Sequence, residues 1–208
     1  MDIRITSSVT RNSSERDPIA IREEHYERHF GRMSDAVAHS TDKNTVHVDI
    51  YQFEPSEARP YWTLVTGGMS DLPQRIPSAA EGTLAPRTEI LMYAKTPQHW
   101  MLEILKTLAE FPFRRETFLH WYHTWTKDAC ITHEPSSFTS CLFLPPFLED
   151  PSLNELQVQG NRVDFLWMIP ITEREQDFAV SDGSEALARL LMTDEDNLIV
   201  HEGRKSVV

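Results

Sequence analysis

Four possible metal ligands in the middle of the chain are the residues with the clearest capacity for chemistry. His120, His123, Cys130 and His133 follow the spacing H-x2-H-x6-C-x2-H. Each residue type binds zinc, which takes four ligands in a tetrahedral arrangement. Zinc knuckles and fingers separate their ligand pairs differently, and the aromatic residues around His120 suit core packing equally well. A structural zinc site is therefore an alternative hypothesis here, and we predict neither a bound metal nor a cofactor.

Carboxylates form a second candidate set. Asp49, Glu89, Glu173 and Glu175 lie within or beside predicted strands. If those strands are neighbours, the four side chains could converge, and paired acids serve hydrolysis or bind a divalent cation. Together with His123 they make a metal-dependent hydrolase the alternative function. The favoured interpretation is structural, with the carboxylates accepting hydrogen bonds from loop amides or from Arg87.

Nucleophilic catalysis finds little support in the sequence. Ser70 follows Gly67, Gly68 and Met69, which resembles a G-x-S-x-G elbow only loosely. Cys130 could pair with a histidine, but nothing marks an oxyanion hole. The Gly-Gly pair is followed by neither the third glycine nor the lysine of a phosphate-binding loop. The sequence therefore predicts no catalytic set, and we expect a protein that is not an enzyme.

The stretch 45–70 is the element that would position these residues. Residues 46–53 and 61–66 are rich in β-branched and aromatic side chains, and Pro60 precedes the second segment. This composition predicts two paired strands followed by a Gly-Gly turn. Asp49 lies among the apolar residues of the first strand. We interpret it as a structural carboxylate that ties down the Gly67-Gly68 turn or pairs with Arg87.

The rest of the chain alternates strands and helices without strict βαβ order. Aspartate or threonine followed by proline at 17–18 and 96–97 predicts two helix starts. Further strands are predicted at 88–94, 137–144 and 162–169, the last ended by Pro170, and further helices begin at Thr172 and span 184–192. The segment 111–131 fits no element. We predict one α/β (α+β) domain at 17–200, a mixed β-sheet with helices packed on its faces, between an arm at 1–16 and a tail that frays at 201–208.

Composition restricts the class of partner. Asp and Glu outnumber Lys and Arg by 32 to 20, which gives a formal net charge of −12. Nucleic acid is disfavoured as a partner because phosphate binding depends on clustered Lys and Arg. A basic protein partner is compatible, since a negative surface attracts it. No apolar run is long enough to span a membrane and the start lacks an apolar signal core, so we predict a cytoplasmic protein with no membrane contact.

Five segments, taken in order, resemble one family. They are VHVDIYQFEP, YWTLVTGGMSD, RTEILMYA with QHWMLEILKTLAEFP, LFLPPFLEDP and FLWMIPITEREQDF. Their order is similar to that of the suppressor of fused (SUFU) family, over residues 19–191, and the length resembles the bacterial single-domain members. The resemblance implies a mixed α/β domain with a non-enzymatic, protein-binding role. Animal members restrain a transcription factor in Hedgehog signalling, and bacterial members are linked to toxin systems as immunity proteins that neutralise a cognate toxin.

The resemblance also implies a set of motif residues that could contact a partner. These are Asp49, Thr66, Gly67, Gly68, Met69, Ser70, Arg87, Glu89, His123, Thr172, Glu173 and Glu175. The family often has glycines before the histidine-threonine pair, where this chain has Trp121 and Tyr122. The animal partner groove spans two domains, so its contacts are not transferred to this chain. We expect function to begin in the loop that follows the 45–70 stretch.

Overall fold

One sheet, covered by helices on both faces, organises the part of the chain that the structure describes. The structure is a computed structural model in which residues 17–35, 37–38, 46–127, 130–132, 137–201 and 203–208 are described. The helices are α1 (Pro18–Phe30), α2 (His99–Arg115), α3 (Glu173–Asp182) and α4 (Ser184–Leu191). The strands are β1 (Asp49–Phe53), β2 (Trp62–Gly67), β3 (Arg87–Ala94), β4 (Thr124–Thr126), β5 (Phe138–Leu144), β6 (Gln157–Val158) and β7 (Asn161–Thr172). The predicted arm at 1–16 lies outside the described residues.

The sheet is mixed, as predicted. Its strand order is β1-β2-β3-β7-β5-β4, and β6 pairs with β7. β3 and β7 are parallel, with Glu89 opposite Phe165, while β1–β2, β2–β3, β5–β7, β4–β5 and β6–β7 are antiparallel. The long strand β7 is therefore central and joins the N-terminal strands to the β4–β5 hairpin.

Alternating side chains of the strands form two apolar layers. On one face, Tyr26 and Phe30 of α1 and Leu187 and Leu191 of α4 share a buried cluster with Trp167. On the other face the apolar stripe of α2 packs against strand residues; this cluster includes Trp100, Ile104, Leu108, Ile90, Met92 and Leu166. Burial of such stripes is the main favourable term in folding and places the helices on the sheet. The prediction of helices packed on both faces of a single domain is confirmed.

β7 continues through Pro170, although the sequence predicted that this proline would end the strand. Pro170 lies opposite Cys141 of β5, and the pairing extends to Thr172. The parallel pairing with β3 stops at Trp167. Beyond that point β7 has β5 as a neighbour on one side only, so a residue without an N–H group is tolerated.

Two helices differ from their predicted form. α2 begins at His99 instead of following Thr96-Pro97 directly, because Gln98 still has extended backbone and caps no amide with its side chain. In α1 the apolar residue Ile19 is 46% exposed. Besides Tyr26 and Phe30, the buried side of α1 includes Arg22 and His25, two polar residues that an apolar pattern does not indicate.

The C-terminal segment, which we predicted to fray after residue 200, contacts the domain. Val200 bridges to Ala94, and Arg204 is buried. Val207 and Val208 pack against the same apolar cluster as α1 and α4. An ion pair formed by Arg204, described below, holds this segment in place. Among the residues described, no helix combines the length and the apolar character that crossing a membrane requires.

Candidate functional site

The loop that follows β2 folds around the side chain of Glu89, which is completely buried on β3. Glu89 Oε1 accepts hydrogen bonds from the backbone amides of Gly68 and Ser70, both at 3.0 Å, and from Ser70 Oγ at 2.6 Å. Its Oε2 accepts one from Thr66 Oγ1 at 2.6 Å. Thr66 Oγ1 in turn accepts from the amide of Ile90, so its hydrogen is directed to Glu89. One carboxylate therefore organises the Thr66–Ser70 turn.

The two glycines of the turn are required by sterics. A Cβ on Gly67 would lie 2.4 Å from the ring of Tyr51. Gly68 has φ +112°, and a Cβ there would lie 2.1 Å from the carbonyl oxygen of His47. Glycine is the residue that accepts positive φ and this close a backbone approach. The Gly-Gly pair thus lets the loop turn tightly enough for its amides to reach Glu89.

Three charged side chains surround this turn. Arg22 of α1 is buried and forms an ion pair with Asp71, whose side chain is 40% exposed. Arg87 Nη1 donates to the carbonyl oxygen of Ser70 at 2.6 Å. Met69 is buried and its sulfur accepts a weak contact from Thr88 Oγ1 at 3.7 Å. The loop is held by α1 on one side and by the start of β3 on the other.

Burial dominates the titration of this cluster. Burial raises the pKa of Glu89, while Arg22 and the hydrogen bonds from Ser70 and Thr66 oppose that shift. For Arg22, burial opposes the charge, but Glu89 and Asp71 outweigh it and raise the pKa of the guanidinium. Burial and the neighbouring Glu89 also raise the pKa of Tyr26. The arrangement is that of a charge-compensated structural centre covered by α1.

Asp49 makes different contacts from those predicted for it. It lies opposite Gly67 in the β1–β2 register, and its Oδ1 is 3.0 Å from Nε2 of His47. The hydrogen bonds to the Gly-Gly loop go to Glu89 instead. Arg87 donates to the backbone of Ser70. The prediction that a carboxylate ties down the loop was therefore right in kind, but the residue that does so lies on β3.

Glu175 forms the second buried ionic centre. Arg204 donates to both carboxylate oxygens of Glu175 at 2.7 Å and to the carbonyl oxygen of Pro170 at 2.8 Å. Glu175 also completes a capping box with Thr172, whose amide donates to it at 2.8 Å. The ion pair and hydrogen bonds outweigh burial and lower the pKa of Glu175. The predicted helix start and the buried ion pair therefore use the same carboxylate, that of Glu175.

The four candidate carboxylates do not converge. Glu89 lies opposite Phe165, whereas Thr172 is at the far end of β7, about 23 Å away at about 3.3 Å per residue. Glu173 is exposed at the start of α3, two residues before the buried Glu175. Glu89 and Glu175 are each committed to their own network, so the four carboxylates do not form one site for hydrolysis or cation binding.

The candidate zinc ligands do not form a cluster among the described residues either. His120 is buried with Nε2 3.4 Å from Asp164 Oδ2, at ion-pair distance but without hydrogen-bond geometry. His123 packs edge-on against Phe118, and burial lowers its pKa. Cys130 donates to the carbonyl oxygen of Phe138 at 3.1 Å. No group of three or more His, Cys, Asp or Glu is arranged for a metal within the described residues, and His133 lies outside them.

The motif residues that the resemblance implied fall into three groups by exposure. The turn residues Thr66, Gly67, Gly68, Met69 and Ser70 are buried, as are Glu89, Thr172 and Glu175. Arg87, Asp49 and His123 are half-buried, and Glu173 is exposed. Most of the set therefore stabilises the loop after β2 and the start of α3, and the side chains that reach solvent are fewer.

Sequence reasoning missed the partners of the buried acids. Arg22, Asp71 and Arg204 were not singled out, and neither was the pair Arg59–Glu149, whose Nη1 and Oε1 atoms are 2.5 Å apart. One signal was available for Arg22, because it lies four residues before Tyr26 on the same face of α1. For Arg204 no local pattern exists, since it belongs to no regular element.

The family model for suppressor of fused protein (SUFU) matches residues 44–205. A putative SUFU homologue from Neisseria gonorrhoeae FA 1090 has a similar structure, with TM-score 0.66 and 17% identity, covering 91% of this chain and 94% of that one. A crystal structure of the Sufu–Fu complex matches with TM-score 0.64 and 15% identity, covering 91% and 90%.

Drosophila Suppressor of Fused is similar as well, with TM-score 0.63 and 11% identity, and this chain covers 50% of it. No curated protein matches the sequence. At these identities the structural matches establish the fold, while the sequence model matches most of the chain. The buried Glu89 turn, the capped α3 and the mixed sheet all lie within the matched residues, and the chain belongs to the suppressor of fused protein family.

Proposed function

We propose that this chain is a protein-binding module of the immunity type, which binds a cognate basic toxin domain and neutralises it. Its membership in the SUFU family is the observation that carries the proposal. A structurally similar relative was crystallised as a Sufu–Fu complex, which supports protein recognition as the activity. The bacterial homologue of similar length supports a single-domain form of that role.

The charge distribution supports a basic partner. The buried Arg204 and the largely buried Arg59 each pair with one acid, and the buried Arg22 pairs with Asp71 close to Glu89. These internal charges nearly cancel, so most of the formal charge of −12 resides with the other residues. The exposed acids of α3 and α4 include Glu173, Asp177, Asp182 and Glu185. Such a surface attracts a positive protein and accelerates its association.

The test combines capture of the partner with measurement of its binding kinetics. The tagged chain is expressed in its source cell, bound proteins are identified by mass spectrometry, and the purified partner is assayed for toxicity with and without the chain. We expect a basic partner whose activity is blocked at a one-to-one ratio. Its association rate should fall about tenfold between low and high salt, because screening weakens electrostatic attraction.

The control is the dissociation rate of the same complex, measured at the same salt concentrations. It should depend less on salt than the association rate does. A partner whose toxicity persists in the complex would contradict the immunity role while leaving protein binding intact. A complex that forms at the same rate at all salt concentrations would contradict the electrostatic part.

A further inference from the structure

Two adjacent apolar side chains are exposed in the loop that follows β5. Phe147 is 46% exposed and Leu148 is 37% exposed. The other large apolar side chains that face solvent in the described part of the chain are Ile19, Val180 and Met192, and no two of these are adjacent in the sequence. Single exposed apolar residues are normal on protein surfaces. The adjacent pair is therefore the stronger indication of a contact surface.

The pair occupies the two central positions of a β-turn. The amide of Glu149 donates to the carbonyl oxygen of Pro146 at 3.0 Å, which closes the turn around Phe147 and Leu148. Turns are usually built from Gly, Pro, Asn, Asp or Ser, because the backbone preferences of these residues suit a turn and most of their side chains suit water. The requirements of the turn itself therefore do not explain two large apolar side chains at its exposed positions.

Contacts on both sides hold this turn in place. Before it, Pro145 and the buried Pro146 have a backbone whose φ is fixed by the proline ring. After it, the side chain of Glu149 is 3% exposed, bonds to Arg59 at 2.5 and 2.6 Å, and accepts a hydrogen bond from the hydroxyl of Tyr93. Because the turn is already ordered, a partner that binds it loses little free energy to ordering the loop.

The uncompensated charge beside the turn is negative. Asp150 directly follows the turn and is exposed, and hydrogen bonds from the side chain and the amide of Ser152 lower the pKa of its carboxyl group. Arg59 neutralises the neighbouring Glu149. His29 of α1 interacts with both acids, but burial lowers its pKa, so it does not supply a positive charge at neutral pH.

These charges select among the possible occupants of the turn. Residues 138–161 contain three acidic residues and no Lys, Arg or His. A second copy of this chain would bring its own net charge of −12 and be repelled, and anionic lipid headgroups would be repelled for the same reason. A basic protein is attracted instead. Because the two side chains project from a turn, the complementary surface on that protein is a pocket.

We propose that Phe147 and Leu148 insert into an apolar pocket of the basic partner, beside a basic residue that pairs with Asp150. The inference rests on the proposed function, because it identifies the surface of this chain that contacts that partner. Apolar side chains that become fully buried at an interface contribute most of the binding energy and act mainly on dissociation. Charges at the rim of an interface act mainly on association.

The first test is photo-crosslinking of the full chain in its source cell, with p-benzoyl-phenylalanine at position 147. This photoreactive side chain forms a covalent bond only with a molecule that it touches. We expect a crosslink to one basic protein, identified by mass spectrometry. The same photoreactive residue at position 180 is the matched control, because Val180 is 77% exposed on α3 and lies outside the turn. It should not give that product.

The second test measures the binding kinetics of variants with the crosslinked protein. The double variant Phe147→Ser/Leu148→Ser should weaken binding about thirtyfold, through faster dissociation, with the salt dependence of association unchanged. Asp150→Asn, which keeps the cap on Ser152, should instead slow association. Phe147→Ser alone changes the more exposed side chain and serves if the double variant is unstable. Val180→Ser is the control and should bind as wild type does.

Several outcomes would overturn the assignment of this surface. They are a crosslink from position 147 to a second copy of the chain or to lipid, no crosslink at all, and equal dissociation rates for wild type and the variants at 147 and 148. If a toxin is bound and neutralised but does not crosslink to position 147, the inference about the turn is wrong and the function stands. If position 147 crosslinks to a basic protein that is not toxic, and the variants release it faster, the immunity function is wrong and the surface stands.

Discussion

Arg204 bonds both carboxylate oxygens of Glu175 at 2.7 Å, although Arg204 follows the last helix and Glu175 lies in the first turn of α3. The side chains of both residues are at most 3% exposed. The amide of Val207 adds a further contact to Glu175 at 3.0 Å. This pair joins the C-terminal segment to the end of β7, where Arg204 also donates to Pro170.

Arg204→Ala should lower the free energy of unfolding by about 3–5 kcal/mol, because it leaves Glu175 buried without its counter-charge. The measurement is chemical denaturation followed by tryptophan fluorescence. Lys205→Ala is the matched control, since Lys205 is exposed and adjacent, and it should change stability by less than about 0.5 kcal/mol. Equal effects of the two substitutions would show that the segment is not held by this pair.

Glu89→Gln should lower the free energy of unfolding by about 2–4 kcal/mol. The amide nitrogen of glutamine cannot accept the hydrogen bond from Thr66, and the buried Arg22 loses a negative neighbour.

Asp49→Asn should cost less than Glu89→Gln, about 1 kcal/mol or below, because Asp49 contacts the exposed His47. We still expect Asp49→Asn to lower stability more than partner affinity. Lost binding at unchanged thermal stability would place Asp49 in the interface instead.

Gly68→Ala should destabilise the protein by more than Gly82→Ala does. Both glycines have positive φ, +112° and +81°, so both substitutions carry a backbone cost of about 1–2 kcal/mol. A Cβ on Gly68 would also meet the His47 carbonyl at 2.1 Å, whereas Gly82 has nothing within 4 Å. The difference between the two unfolding free energies isolates the clash. If the two variants are equally stable, the loop can move away from His47 at no cost.

His25 should make stability depend on pH in the mildly acidic range. Burial lowers its pKa below the ordinary value of 6.5, with His29 and Arg28 contributing, while its Nε2–H donates to the carbonyl oxygen of Leu153 at 2.8 Å. Between the lowered pKa and 6.5 the unfolded chain binds more protons than the folded chain. The free energy of unfolding therefore falls as the pH drops below 6.5 and is recovered above it.

The check for His25 is a set of denaturation curves between pH 5 and pH 8 for wild type and His25→Gln. The variant should lose part of the slope, and the remainder belongs to groups such as His29 and His123, whose pKa values burial also lowers. A variant with the same slope as wild type would show that His25 does not titrate differently in the two states.

Local sequence patterns predicted most of the helices and strands. They also predicted part of one of the two buried ionic centres. The β-branched runs identified β2, β3 and β5 to within a residue or two, because alternating apolar side chains suit a buried strand wherever it lies. Thr172 followed by acids at 173 and 175 predicted the start of α3, because acids are favoured near the positive end of a helix, and the structure adds a capping box at that start. The strand run through Pro170 was missed because the tolerance of that proline depends on which strand lies beside it.

The partners of the buried charges were decided only by the tertiary structure. The sequence by itself determined that carboxylates lie at residues 49, 89 and 175, that a Gly-Gly turn follows β2, and that the net charge is −12. It could not determine that Glu89 instead of Asp49 collects the turn's amides, or that Arg22 and Arg204 supply the counter-charges. Ion pairs between residues far apart in the chain have no periodic signature, because they form only when packing of the helices on the sheet brings the two charges out of water together.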